Sequence, residues 1–164
     1  MINGIEYLKR KYPNFDEYCY QPNGLDLQVG KVYEINGKGL ICGLINGKKK
    51  NAEHIEIPAQ KYPETENTNA WELKPHKPYI FEVDRSIQIG ENNAQLYFPR
   101  STLLRNGVDV ITAVGDVGYK GHLSFMVINH NDFPYYITKG ERFAQLVDFQ
   151  VTETSTSYEG DYQE

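Results

Sequence analysis

What limits this chain most is the brevity of its apolar runs. Each spans a handful of residues, most alternate with period two, and turn-forming residues separate them. "LDLQVGKVYEI" puts Leu25, Leu27 and Val29 on one face, and "PYIFEV" does the same with Tyr79, Phe81 and Val83. "AQLYF" and "VDVITAV" read as further short strands. "HLSFMVIN" is apolar on both faces, which predicts a central strand. "FAQLVDFQV" carries Phe143, Val147, Phe149 and Val151 on one face, with Gln145 sitting among them. Period two is strand period, because successive side chains point to opposite faces. Many short strands with turn signals between them predict an all-β sandwich or barrel. One stretch differs: "NGIEYLKRKYPNF" spaces Ile5 and Leu8 as on a helix and stops at Pro13, which predicts one short N-terminal helix.

Length and charge narrow the class. At 164 residues the chain is long enough to bury a core as one domain. Its net charge of -5 argues against coating a nucleic acid, yet leaves room for a small phosphorylated ligand held by a few arginines and backbone N–H groups. Cys19 and Cys42 have neither CxxC spacing nor a nearby His, so no zinc site and no disulfide framework is expected. His54, His76, His122 and His130 are scattered and read as surface or strand residues. No signal peptide and no membrane span is read, so a cytoplasmic protein with no membrane partner is the expectation. Residues 36–70 are polar and turn-rich, with Lys48, Lys49 and Lys50 read as part of a solvated loop. From Thr152 the polar "TETSTSYEGDYQE" reads as a mobile tail (residues 152–164) behind a single β domain of residues 1–151.

Polar residues interrupt this pattern in four stretches. Asp26 lies inside "QPNGLDL", and Arg100, Ser101 and Arg105 lie in "PRSTLLR". Asp116 and Tyr119 lie in "AVGDVGYKGHLSF", and Gln145 lies in "KGERFAQLV". Each has a plain structural explanation. Asp26 and Arg100 could pair, Ser101 could cap a helical turn, Gln145 could satisfy a backbone group, and Asp116 could simply be a turn residue. Taken together they also form a chemical set. A triphosphate needs a planar donor such as Arg, a hydroxyl and free N–H groups, which "RSTLL" supplies. Mg²⁺ keeps waters and takes phosphates plus a carboxylate, a role Asp26 could fill through water. Hydrolysis needs a base beside the attacking water, and Asp116 on a glycine-lined turn qualifies.

In these four stretches, and in their order, the chain resembles the dUTPase and dCTP deaminase superfamily from about residue 20 onward. The resemblance implies a distorted barrel or jelly roll, and a homotrimer with active sites between subunits, the Arg100 and Asp116 sides coming from different chains. It implies that Asp26 is linked to Mg²⁺ through water, and that Arg100, Ser101 and Gln145 hold phosphates with Arg105 nearby. Asp116 then activates water against the α-phosphorus, and the Tyr119 ring stacks on deoxyribose and excludes a 2'-hydroxyl. The tail "YEGDYQE" resembles the deaminase branch, and its Tyr158 and Tyr162 are read as a lid over bound nucleotide.

Two departures matter. Gly115 stands where the family has an apolar residue before the aspartate, which predicts a shorter or looser turn. Met126 stands where deaminases carry a proton-moving glutamate, and a thioether is no general base. The leading expectation is Mg²⁺-dependent hydrolysis of dUTP to dUMP and pyrophosphate. The alternatives are a dCTP deaminase or bifunctional enzyme, and a nucleotide-binding or regulatory protein with little catalysis.

Overall fold

The computed structural model describes residues 4–37, 40–45, 48–152 and 158–160, with backbone only for 40–45 and 48–50. Helix α1 (Ile5–Lys11) precedes the strands. These are β1 (Tyr20–Gln21), β2 (Gly24–Asn36), β3 (Leu40–Ile45), β4 (Lys48–Lys50), β5 (Glu53–Ile57), β6 (Gln60–Lys61), β7 (Asn69–Leu73), β8 (Pro78–Gln88) and β9 (Asn93–Pro99). A single helical turn, α2 (Ser101–Arg105), leads to β10 (Val108–Ile111), β11 (Lys120–Asn129), β12 (Tyr135–Thr138) and β13 (Arg142–Gln150).

The main sheet runs β10-β11-β8-β2-β13-β9, with β1 and β5 also on β2. Its two ends meet. The Gln95 N–H donates to Gly115 O at 2.9 Å, the Gly115 N–H donates to Gln95 O at 2.8 Å, and the Thr112 hydroxyl donates to Tyr97 O at 2.9 Å. The edge strand β9 is thereby tied to the segment that follows β10, so the sheet closes into a nearly complete barrel. The expected all-β barrel with a short N-terminal helix is the fold that forms.

Alternation explains most of the core. Leu25, Leu27, Val29, Phe81, Val83, Phe125 and Val127 all turn inward. Phe143 packs between Phe81, with ring centroids 5.4 Å apart, and Phe125, at 5.9 Å. Such pairs add about 0.5–1.5 kcal/mol each beyond the area they bury. Strand β11 lies between β10 and β8 as expected of a central strand, but its burial alternates, with His122, Ser124 and Met126 on the less buried face. Strand β13 behaves in the opposite way. Ala144, Leu146 and Asp148 are as buried as Phe143, because β2 and β9 flank it and α1 covers its far end.

That cover brings a carboxylate inside. Asp148 is fully buried and accepts from the Tyr12 hydroxyl at 2.9 Å, Lys11 Nζ at 3.0 Å, Gln95 Nε2 at 3.0 Å and the Tyr7 hydroxyl at 3.3 Å. A buried charge is tolerable only when its lone pairs are met in this way. Burial, together with the Asp148 charge, pushes the Tyr12 hydroxyl well above the usual tyrosine range, so it stays a donor.

Residues 36–70 depart from the loop reading. Lys48–Lys50 form β4 against β3, and β5 pairs with the outer half of β2. Glu53, His54, Ile55 and Glu56 are all exposed, so β5 is held by ladder pairing and lacks the one-sided burial that marks a strand in sequence. Trp71 on β7 is buried and donates to Ile57 O at 2.8 Å. Cys19 is buried and unbridged, and burial pushes its thiol up to about 11. The Cys42 side chain lies outside the described residues.

Candidate active site

Gln145 on β13 lies directly across from Asp26 on β2. Their side chains meet, Gln145 Nε2 donating to Asp26 Oδ1 at 3.0 Å. Arg100, just past β9, reaches Asp26 Oδ2 with Nε at 3.1 Å, and Arg142 reaches the same oxygen with a guanidinium nitrogen at 3.2 Å. The ion pair between Asp26 and Arg100 therefore exists, and Gln145 serves a carboxylate where a backbone partner was the plain alternative. Asp26 is 1% exposed; burial pushes its carboxyl up, and Gln145, Arg100 and Arg142 pull it back toward the charged form.

Arg142 escaped the sequence reading. Residues three apart on a regular strand face opposite ways. A register shift between Arg142 and Ala144 adds a residue to β13 and returns Arg142 to the Gln145 face. Its guanidinium also packs over the Tyr18 ring at 5.2 Å and donates to Tyr18 O at 2.7 Å. The result is two planar cations and an amide around one carboxylate, suited to fork-like contact with phosphate oxygens.

Ser101 opens α2 at its first helical position and is exposed. It does not cap the turn. Arg100 occupies the cap position in extended backbone, because its N–H is drawn to Phe143 O at 3.0 Å. Arg105, at the end of the same turn, is also exposed.

Asp116 and Tyr119 lie elsewhere, at a cleft of about 590 Å³. Its wall is made by Tyr97, Gly115, Asp116, Tyr119, Ser124 and Phe125, among others. Asp116 is exposed. Tight bonding shapes the turn: Tyr119 N–H donates to Asp116 O at 3.2 Å, Ile89 N–H donates to Tyr119 O at 2.8 Å, and Gly118 takes φ +79°. Gly115 is buried and paired both ways with Gln95, so the turn is tightly tied at the position where the apolar residue is missing. The reason is local. A Cβ at 115 would stand 2.2 Å from the Tyr97 hydroxyl, so that hydroxyl fills the vacated space.

Three cleft residues had no sequence signal. Glu82 on β8 lies across from Ser124, accepts from the Tyr33 hydroxyl at 3.2 Å and stands 3.7 Å from Lys31 Nζ. His122 bonds Val83 O through Nδ1 at 2.8 Å, and His54 lies at the cleft border. Tyr158 from the tail is docked here: its N–H donates to Val117 O at 2.7 Å, and its ring meets Tyr119 edge-on at 5.5 Å. Tyr162 lies outside the described residues.

No group of three or more His, Cys, Asp or Glu among the described residues could hold a metal. Both Asp26 oxygens are already engaged, so its donor set fits a cation only through an intervening water. Among the described residues, no helix is long and apolar enough to cross a membrane.

A nearly closed antiparallel barrel with an arginine–carboxylate–amide cluster and a separate glycine turn bearing a carboxylate and a tyrosine defines a narrow class of β proteins. The chain belongs to the dCTP deaminase-like family, whose model matches residues 5–151. It is 41% identical over 99% of both chains to a protein of Methanopyrus kandleri named probable deoxyuridine 5'-triphosphate nucleotidohydrolase. A protein of the same name from Methanothermobacter thermautotrophicus is 43% identical over the full length of both. The 2'-deoxycytidine 5'-triphosphate deaminase of Agrobacterium tumefaciens shares the fold at TM-score 0.65 and 17% identity, over 90% of this chain and 46% of that one.

Proposed function

We propose that the protein hydrolyses dUTP to dUMP and pyrophosphate. The observation that carries this reading is the identity, at 41% and 43% over essentially whole chains, to proteins named for that activity. The site chemistry supports it. Arg100, with Ser101, Gln145 and Arg105, holds the triphosphate, and Asp26 keeps the guanidinium aimed. Tyr119 lies under the deoxyribose. Asp116 takes a proton from water as its oxygen bonds to the α-phosphorus, and the bond from that phosphorus to the bridging oxygen breaks, releasing pyrophosphate. The phosphates, and Asp26 through water, would hold a Mg²⁺ ion, which would supply charge neutralisation on the phosphates.

The two halves of this site are apart in one chain: none of Asp26, Arg100 and Gln145 lines the cleft at Asp116. A homotrimer that sets the Arg100 side of one subunit against the Asp116 side of the next completes the site. Leu96, Phe98, Ile111 and Val114 are exposed apolar residues on β9 and around the end of β10, suited to that contact. The test combines chromatography with sedimentation. Incubation with each dNTP and Mg²⁺ is expected to yield dUMP and pyrophosphate from dUTP, at a mass three times the 18.9 kDa chain. Unaltered dUTP, or a monomer under assay conditions, rejects the reading.

Arg100→Ala removes a charge-assisted phosphate contact worth about 1.5–3 kcal/mol, so dUTP affinity is expected to fall roughly ten- to hundredfold. Equilibrium titration with a non-hydrolysable analogue measures this. The tail of residues 152–164 acts as a lid, a role the docking of Tyr158 beside Tyr119 supports. Truncation after Val151 is expected to raise KM for dUTP, and steady-state kinetics with unchanged KM and kcat would make the tail idle.

A further inference from the structure

We infer that Tyr97 and Gly115 form a matched pair that sets the position of the Asp116 turn, Tyr97 acting as a positioning residue. This rests on Asp116 being the base. Gly115 directly precedes that residue and is tied by both backbone bonds to Gln95. Gln95 is itself immobilised: fully buried, it donates from Nε2 to the Tyr12 hydroxyl at 2.6 Å and to Asp148 at 3.0 Å. Its Oε1 accepts from the Tyr97 hydroxyl at 2.7 Å. The start of the Asp116 turn is thus anchored to Gln95, whose side chain is in turn held by the Tyr97 hydroxyl, Tyr12 and Asp148.

The Tyr97 hydroxyl also fixes what stands at 115. An added Cβ would lie 2.2 Å from that oxygen, 2.7 Å from Ile89 Cδ1 and 3.0 Å from Gln95 Cβ. The first overlap is the severe one, since the phenol ring is held against Phe125 at 4.9 Å, whereas Cδ1 is the flexible end of a side chain. With the hydroxyl gone, no atom of Tyr97 remains among the contacts below 3.0 Å. Two ways of filling one volume are therefore available: a tyrosine on β9 with glycine at 115, or a smaller ring with a side chain at 115.

The prediction is a reversal of sign. Tyr97→Phe alone is expected to lower kcat about five- to tenfold, the scale of one lost hydrogen bond, with KM for dUTP unchanged. Gly115→Ala displaces Asp116 and is expected to cost about a hundredfold in kcat, the scale of a misplacement near 1 Å. Adding Tyr97→Phe to Gly115→Ala is expected to recover about tenfold in kcat, so that one substitution harms the native chain and helps the variant. Thermal melting is followed in parallel. If Gly115→Ala does not fold, Tyr97→Phe must restore folding. Native kcat in Gly115→Ala, or no recovery of either folding or turnover in the double variant, overturns the pairing. Asp116→Asn in the native background separates the two questions: turnover there removes the base assignment itself, while its loss leaves the pairing to stand or fall on the double variant.

Discussion

Asp116→Asn is expected to lower kcat for dUTP by about 10²–10⁴-fold while dUTP still binds. The amide matches the carboxylate in shape but cannot take a proton from water. The surrounding turn is held by the Tyr119–Asp116 and Ile89–Tyr119 backbone bonds and by the bridge from Gly115 to Gln95, none of which uses the Asp116 side chain. Its exposure means that no buried partner is orphaned by the change. The loss should therefore fall on kcat and leave the affinity for a non-hydrolysable analogue within a few-fold of native, the opposite of Arg100→Ala. Near-normal turnover in Asp116→Asn would assign the base to another group, and Glu82 is the other carboxylate lining the cleft.

How far the sequence reaches is clearest on β13. Gln145 and Asp26 each interrupt an apolar strand, and that interruption is what makes them visible; the fold then sets them in register. Arg142 carries equal weight in the cluster yet is invisible, because only the bulge turns it to the same side, and a bulge has no composition of its own. Asp148 is hidden for a different reason. On β13 it reads as the polar half of an alternation, and its burial depends on α1 bringing Lys11 and Tyr12 across the chain. Alternating apolar residues made β8, which buries one face, and β2, which is buried on both faces over residues 24–29, legible, while β5, paired along an exposed edge, was not. Gly115 was legible as an anomaly, but its cause lies in Tyr97, far away in sequence and adjacent only after the barrel closes. Glu82 gave no signal, since a polar residue between Phe81 and Val83 is what any half-buried strand contains.

The protein is expected to release no ammonia from dCTP. Attack of water at C4 of cytosine needs a group that takes a proton from the water and returns one to the ring and the departing amine. In the deaminase branch that this chain resembles, that group is a glutamate at the position of Met126. Met126 lies on β11 between Ile80 of β8 and Ile111 of β10, an apolar neighbourhood with no proton carrier across either ladder. His122 shares its face but stands about 13 Å away along the strand, and its Nδ1 is engaged by Val83 O. Glu82 is nearer, two rungs toward the Asp116 turn, but its carboxylate is already engaged, accepting from the Tyr33 hydroxyl at 3.2 Å and standing 3.7 Å from Lys31 Nζ. Ammonia detection with dCTP, run beside pyrophosphate release from dUTP, decides. Comparable rates would overturn the expectation, and loss of that ammonia in Glu82→Gln would then identify Glu82 as the carrier. Met126→Glu is the converse experiment. It restores a carboxylate at the position where the deaminase branch carries its proton-moving glutamate, so ammonia release from dCTP is expected to become measurable in that variant alone.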